Sequence, residues 1–174
     1  MKQSILSVFV LILFACSPQE RRKADTPTYF NLTGYFEREA VRLQKANPTV
    51  IKSVIAVGKS EQALTKITDW KTELSIFSTA DINKASWKGE FAENANEGNI
   101  IYTTSNPKIP IKKIEILKIG NQVKGIKIFK TTKNYLYTST DTLVYYPDSL
   151  YAIQNLQDIT FLGQKKYQVT GKFN

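Results

Sequence analysis

The sequence predicts an α+β fold: N-terminal amphipathic helices packed on a long curved antiparallel β-sheet, a meander like a half-barrel. Three observations lead there. Apolar residues recur at three- and four-residue steps in the front of the 174-residue chain. Behind them stand runs rich in Ile, Val, Thr and Tyr, with the two-residue alternation of strands. Short clusters of Gly, Asn, Asp and Pro separate those runs, and no internal repeat recurs at a fixed period.

Taken in order, Tyr29, Leu32, Phe36, Ala40 and Leu43 share one helical face. Glu37, Arg38, Arg42 and Lys45 fall on the other, and Asn47-Pro48 stops the helix. Residues 49–67 are β-branched around Gly58-Lys59 and form a hairpin. Thr68 or Asp69 caps a second helix that aligns Trp70, Leu74, Phe77 and Ala80 until about residue 83. Strands are then expected at 86–91, 99–104, 111–119, 123–131, 135–146, 158–162 and 165–173. Turns fall at 94–98, 106–110, 120–121, 133–134, 147–148 and 163–164. Trp70 and Trp87 are expected as core anchors.

The hairpin around Gly120 carries one pattern twice: Lys112-x-Ile114-x-Ile116-x-Lys118 and Lys124-x-Ile126-x-Ile128-x-Lys130. A two-residue turn sets Ile116 against Gly125 and sends the isoleucine pairs to opposite faces. An odd loop over 120–122 instead pairs Ile116 with Ile126, Ile114 with Ile128 and Glu115 with Lys127. Each such pair contributes about 0.2–1 kcal/mol, so the odd loop is expected over the commoner two-residue turn.

The chain carries a formal net charge of +9. Between residues 112 and 133, Lys112, Lys113, Lys118, Lys124, Lys127, Lys130 and Lys133 face Glu115 alone. This cluster is either the solvated rim of a sheet or a face for an anionic partner through Lys112, Lys118, Lys124, Lys127 and Lys130. Arginine's planar fork is missing from it, which argues against a bidentate phosphate site, and nucleic acid is not the expected partner. Tyr135, Tyr137 and Tyr145 share parity on one strand. They form either an aromatic face for sugar or apolar ligands or part of the half-buried packing typical of strand tyrosines.

An enzyme is not expected. The sequence has no histidine, and so lacks the commonest general base and metal ligand. It carries no Gly-rich phosphate loop, nucleophile elbow or calcium-loop run. Of the two nearest carboxylate clusters, Glu37 and Glu39 stand two apart on a helix and point to different sides, while in the group of Glu90, Glu93 and Glu97 the last two fall in an expected loop. Neither pair makes a general acid and base, and no cofactor or metal is expected.

The N-terminus sets the compartment. Lys2 precedes an apolar run, Ile5 to Phe14, about half the ~20 residues a spanning helix needs. The run closes as Leu13-Phe14-Ala15-Cys16, with leucine where ordinary secretory cleavage wants a small residue. This segment resembles a bacterial lipoprotein signal peptide. The resemblance implies a signal over 1–15, a lipid on Cys16, the only cysteine, and a polar tether over 16–28 carrying Pro18 and Pro27. Residues 29–174 then form a single domain, expected as a monomer. Acyl chains on Cys16 make the membrane the first partner, and Ser17 resembles the outer-membrane default, facing periplasm or surface.

The whole chain resembles the uncharacterised exported lipoproteins of Bacteroidota. The residues that carry the likeness are 29–36 (YFNLTGYF), Asp69-Trp70, 106–110 (NPKIP), Tyr146-Pro147-Asp148 and 168–173 (QVTGKF). The resemblance implies a compartment and no established activity. Two functions remain open. One is a non-catalytic envelope lipoprotein that binds a protein, glycan or anionic lipid through its sheet. The other carries lipid or an apolar ligand in a cavity lined by Ile114, Ile116, Ile126, Ile128, Phe36 and Leu43.

Overall fold

Asn31 and Asn47 set the limits of the first helix, α1 (Leu32–Ala46), in a computed structural model that describes residues 27–174 apart from residue 57. The expected signal, Cys16 and all of the tether before residue 27 lie outside the described residues. The Asn31 side chain accepts from Gly34 N at 2.7 Å, and Asn47, left-handed at φ 46°, donates its N–H to the Leu43 carbonyl. Pro48 follows and the helix stops, as its sequence predicts.

The chain then makes β1 (Thr49–Ala56) and β2 (Lys59–Lys66), followed by two single turns, α2 (Trp70–Glu73) and α3 (Ser75–Ser78). One continuous helix was expected here. Ser75 and Ser78 hydroxyls donate to the carbonyls of Thr72 and Ser75, and this back-bonding competes with the helical ladder. The helical spacing nonetheless holds: Asp69 caps α2, and Trp70, Leu74, Phe77 and Ala80 are all buried.

Seven strands complete the sheet: β3 (Ala92–Asn96), β4 (Asn99–Thr103), β5 (Ile111–Ile119), β6 (Gln122–Lys133), β7 (Tyr137–Tyr146), β8 (Leu150–Ile159) and β9 (Gly163–Phe173). All pair antiparallel in one nine-stranded open sheet of order β2-β1-β9-β8-β7-β6-β5-β4-β3. The helices lie on its inner face, so the fold is the α+β arrangement expected. The buried cluster begins at Tyr29 and includes Tyr151, with Phe173 packed against it, so its two ends lie within residues 29–173.

Three expected strands move. Residues 86–91 form a 3-10 turn (Ala85–Trp87) and a loop, and the edge strand begins at Ala92, with every residue exposed. An edge with no buried face leaves no alternation to read. Residues 158–162 are mostly a hairpin tip, and the true strand is β8, which begins eight residues earlier at Leu150. Tyr135 and Leu136 form a second tip instead of starting β7.

The β5–β6 hairpin keeps the expected pairing but not the expected odd loop. Ile114 pairs with Ile128, Ile116 with Ile126 and Glu115 with Lys127, as expected. The turn itself is the two-residue Gly120-Asn121, because Ile119 pairs with Gln122 and Lys118 with Val123. A bulge at Lys124 absorbs the extra residue and restores the isoleucine register.

Gly171 of β9 sits opposite Tyr151 of β8, whose ring lies over it. A Cβ on Gly171 would stand 2.2 Å from two ring carbons, and Tyr151 is itself fully buried and cannot swing aside. Gly171→Ala is therefore expected to cost about 1–3 kcal/mol, the usual range for overpacking. Urea unfolding of the two chains measures it, with a loss under a few tenths contradicting the steric account.

Candidate functional site

Two buried tyrosines tie the helices to the sheet. Tyr145 of β7 donates its hydroxyl to Glu39 Oε1 of α1 at 2.5 Å, and the neighbouring Arg42 grips the same carboxylate at 2.7 Å before reaching Asp148 at 2.8 Å. Tyr151 of β8 donates to Glu73 Oε1 of α2 at 2.6 Å, and Lys52 of β1 lies 2.8 Å from the same group. Burial, reinforced by the bonds to Glu39 and Glu73, pushes both phenols well above the usual tyrosine range. These clamps hold α1 and α2 on the strands that carry the site.

Strand register lays out the inner face in rows. The deepest, Ile126–Tyr145–Tyr151–Gly171–Lys52, lies under α1 and α2. Next comes Ile128–Leu143–Ile153–Val169–Val54, still apolar. The face then turns polar: Lys130–Asp141–Asn155–Tyr167, followed by Thr132–Ser139–Gln157–Lys165.

Within those polar rows Lys130 Nζ stands 3.2 Å from Asp141 Oδ2. The Asn155 amide donates to Ser139 Oγ at 2.7 Å and to Asp141 Oδ1. A cavity of about 220 Å³ opens beside this group, where Ile76, Thr79 and Trp87 face Ile111, Lys130 and Asp141. Lys84 lies over the Trp87 ring at 4.1 Å from its centroid. The result is a shelf of amides, hydroxyls and one ion pair, flanked by Tyr137 and Tyr167.

The residues singled out in the sequence do not gather at one place. Lys112 holds the carbonyl of Asn106 at 2.9 Å, Lys118 lies 5.9 Å from the Phe30 ring, and Lys124 bonds Gln122 from the bulge. Lys127 is on the outer face opposite Glu115, while Lys130 is on the inner face. The five lysines thus form no common basic face, because two bulges and the strand alternation turn them apart. The expected aromatic row also divides. Tyr135 is fully exposed at a tip, Tyr137 is half-buried, and Tyr145 is buried against Phe36 and Phe77.

Asn155, Gln157, Ser139 and Tyr167 were missed. Their signal was available, since Asn155 and Gln157 share parity with Tyr151 and Ile153. Among the described residues no group of three or more His, Cys, Asp or Glu is placed to hold a metal ion, and no helix is long and apolar enough to cross a membrane. Comparison with family models, curated proteins and solved structures finds no significant match.

The clamps carry a pH dependence. An unfolded tyrosine loses its proton near pH 10, whereas Tyr145 and Tyr151 keep theirs in the fold. The folded state then binds more protons, so stability is retained below about pH 10 and falls above it, by about 1.4 kcal/mol per pH unit for each tyrosine. In urea titrations from pH 8 to 11, Tyr145→Phe and Tyr151→Phe should each flatten that fall, and a slope equal to the parent's refutes the assignment.

Proposed function

We propose that the chain is a non-catalytic, lipid-anchored lipoprotein of the bacterial outer membrane that binds a glycan on the polar half of its inner sheet face. The observation that carries the reading is the pair of polar rows, Lys130–Asp141–Asn155–Tyr167 and Thr132–Ser139–Gln157–Lys165, that follow the apolar rows on the inner face. Planar amides at Asn155 and Gln157 and the hydroxyl of Thr132 match the paired donors and acceptors of a saccharide, with the buried Ser139 hydroxyl bracing Asn155 from below. Tyr137 and Tyr167 flank them with rings on which a sugar face can stack. The anchor rests on the Leu13-Phe14-Ala15-Cys16 segment, and the exported lipoproteins of Bacteroidota remain the group the chain resembles.

Carriage of lipid or an apolar ligand is the weaker reading. Its six lining side chains, Ile114, Ile116, Ile126, Ile128, Phe36 and Leu43, are at most 1 % exposed. A ligand-sized cavity between them would leave their surfaces accessible to a water-sized probe.

Calorimetric titration with neutral and uronate-containing oligosaccharides tests the shelf. Asn155→Ala with Gln157→Ala is expected to weaken binding about tenfold or more, as the loss of well-made polar contacts does, while Lys124→Glu, in the distant hairpin, leaves it unchanged. Absence of saccharide binding, or equal binding by the double variant, overturns the reading. The anchor is tested separately. Cys16→Ser should move the protein from the membrane to the soluble fraction, and retention on the membrane refutes lipidation.

A further inference from the structure

The two hairpin tips at the far end of β7, β8 and β9 present four large apolar side chains to water. Tyr135 and Phe161 are fully exposed, and Leu136 and Leu162 are each 70 % exposed. The tips are joined. Thr160 N donates to the Leu136 carbonyl at 2.9 Å, one step beyond the last paired residues, Tyr137 and Ile159. Asn134 braces its own tip, its side chain accepting from Leu136 N at 2.8 Å and Tyr137 N at 2.9 Å. Four apolar groups on two bonded tips make one protruding patch.

Phe161 adds a second, independent observation. It sits at φ 69°, in the left-handed region where a bulky residue is strained and Gly or Asn is not. A buried aromatic could offset that strain by packing, but Phe161 is fully exposed. Folding therefore gains nothing from phenylalanine at this position. Strain kept at an exposed position points to a use outside the fold.

The surroundings identify the partner's chemistry. Lys133, Lys165 and Lys166 are exposed on the strand ends that carry the tips, with Asp158 the one acidic residue among these strand ends. Protruding aromatic and leucine side chains ringed by lysines match the interface of an anionic bilayer. The rings and leucines enter the acyl boundary while the ammonium groups stay at the head groups. A deformable lipid surface accepts such protrusions without a matching pocket. From these contacts we infer that the tips formed by Tyr135-Leu136 and Phe161-Leu162 dock the domain onto an anionic lipid surface, independently of any lipid on Cys16.

Co-sedimentation with vesicles tests this, using the chain from residue 16 onward with Cys16→Ser, so that neither acyl chains nor the N-terminal apolar run contributes. The parent should partition onto vesicles of phosphatidylglycerol and phosphatidylethanolamine more strongly than onto phosphatidylcholine alone. Phe161→Asn with Leu136→Ser should lower that partition about tenfold or more. Phe161→Asn alone should melt at or above the parent's temperature, because it relieves the left-handed strain. Changing Lys133, Lys165 and Lys166 to Glu should bring binding to anionic vesicles down to the phosphatidylcholine level. Equal partition of parent and tip variant overturns the inference, as does the absence of binding to either vesicle, even if the tips capture a protein. A Phe161→Asn chain that melts below its parent overturns it as well, because Phe161 then serves the fold.

Discussion

Two hydroxyl-to-carboxylate bonds, Tyr145 to Glu39 and Tyr151 to Glu73, hold the helical layer on the sheet. An open sheet of nine strands cannot bury its inner face by closing on itself, so something must cover it. The available cover is modest. Among the described residues only α1 exceeds one turn, and one-turn helices such as α2 and α3 have no stability of their own in water. Their place depends on packing and on these charge-assisted bonds, each satisfying a carboxylate that burial would otherwise penalise. Arg42 and Lys52 complete the arrangement by supplying the opposite charge from α1 and β1.

That cover is also short. Apolar rows continue along the strands as far as Leu143 and Ile153, and from Asp141 onward the inner face is lined by Lys, Asp, Asn, Ser, Gln and Tyr. Polar side chains there bond to one another across strands, and these bonds brace the sheet. The same strands therefore serve as the floor of the core at one end and as a solvated surface at the other.

This division explains what the sequence discloses. The helical face from Tyr29 to Leu43 and the isoleucine pairs of β5 and β6 are legible because burial imposes a strict period on them. The Lys124 bulge is legible only indirectly, through the register it preserves. β8 is hidden because its inward positions pass from Tyr151 and Ile153 to Asn155 and Gln157, so apolar alternation disappears halfway along the strand. Residues 158–162 mislead for the opposite reason: Ile159, Phe161 and Leu162 have strand composition, yet the last two serve no core. The basic cluster misleads because proximity in sequence says nothing about faces once bulges intervene. Local rules also fail at the broken helix over residues 70–83, where serine back-bonding interrupts the ladder, and at the edge strand, where no face is buried.

Energetics sharpen the point. From the Leu143 row to Tyr137, β7 runs on by six residues, about 20 Å at strand rise, and the first polar row, at Asp141, faces Ile76, Thr79 and Trp87 across a cavity rather than in close packing. Strands without apolar cover are held by cross-strand pairs of about 0.2–1 kcal/mol each, and ordering a residue costs about 1–2 kcal/mol. An overhang of this kind adds little to stability and lengthens the surface exposed to water. A domain that needed only a stable core could end its strands at the apolar rows. β7, β8 and β9 instead carry polar groups outward on one face and large apolar side chains at their ends, so their length follows from what they present to solvent.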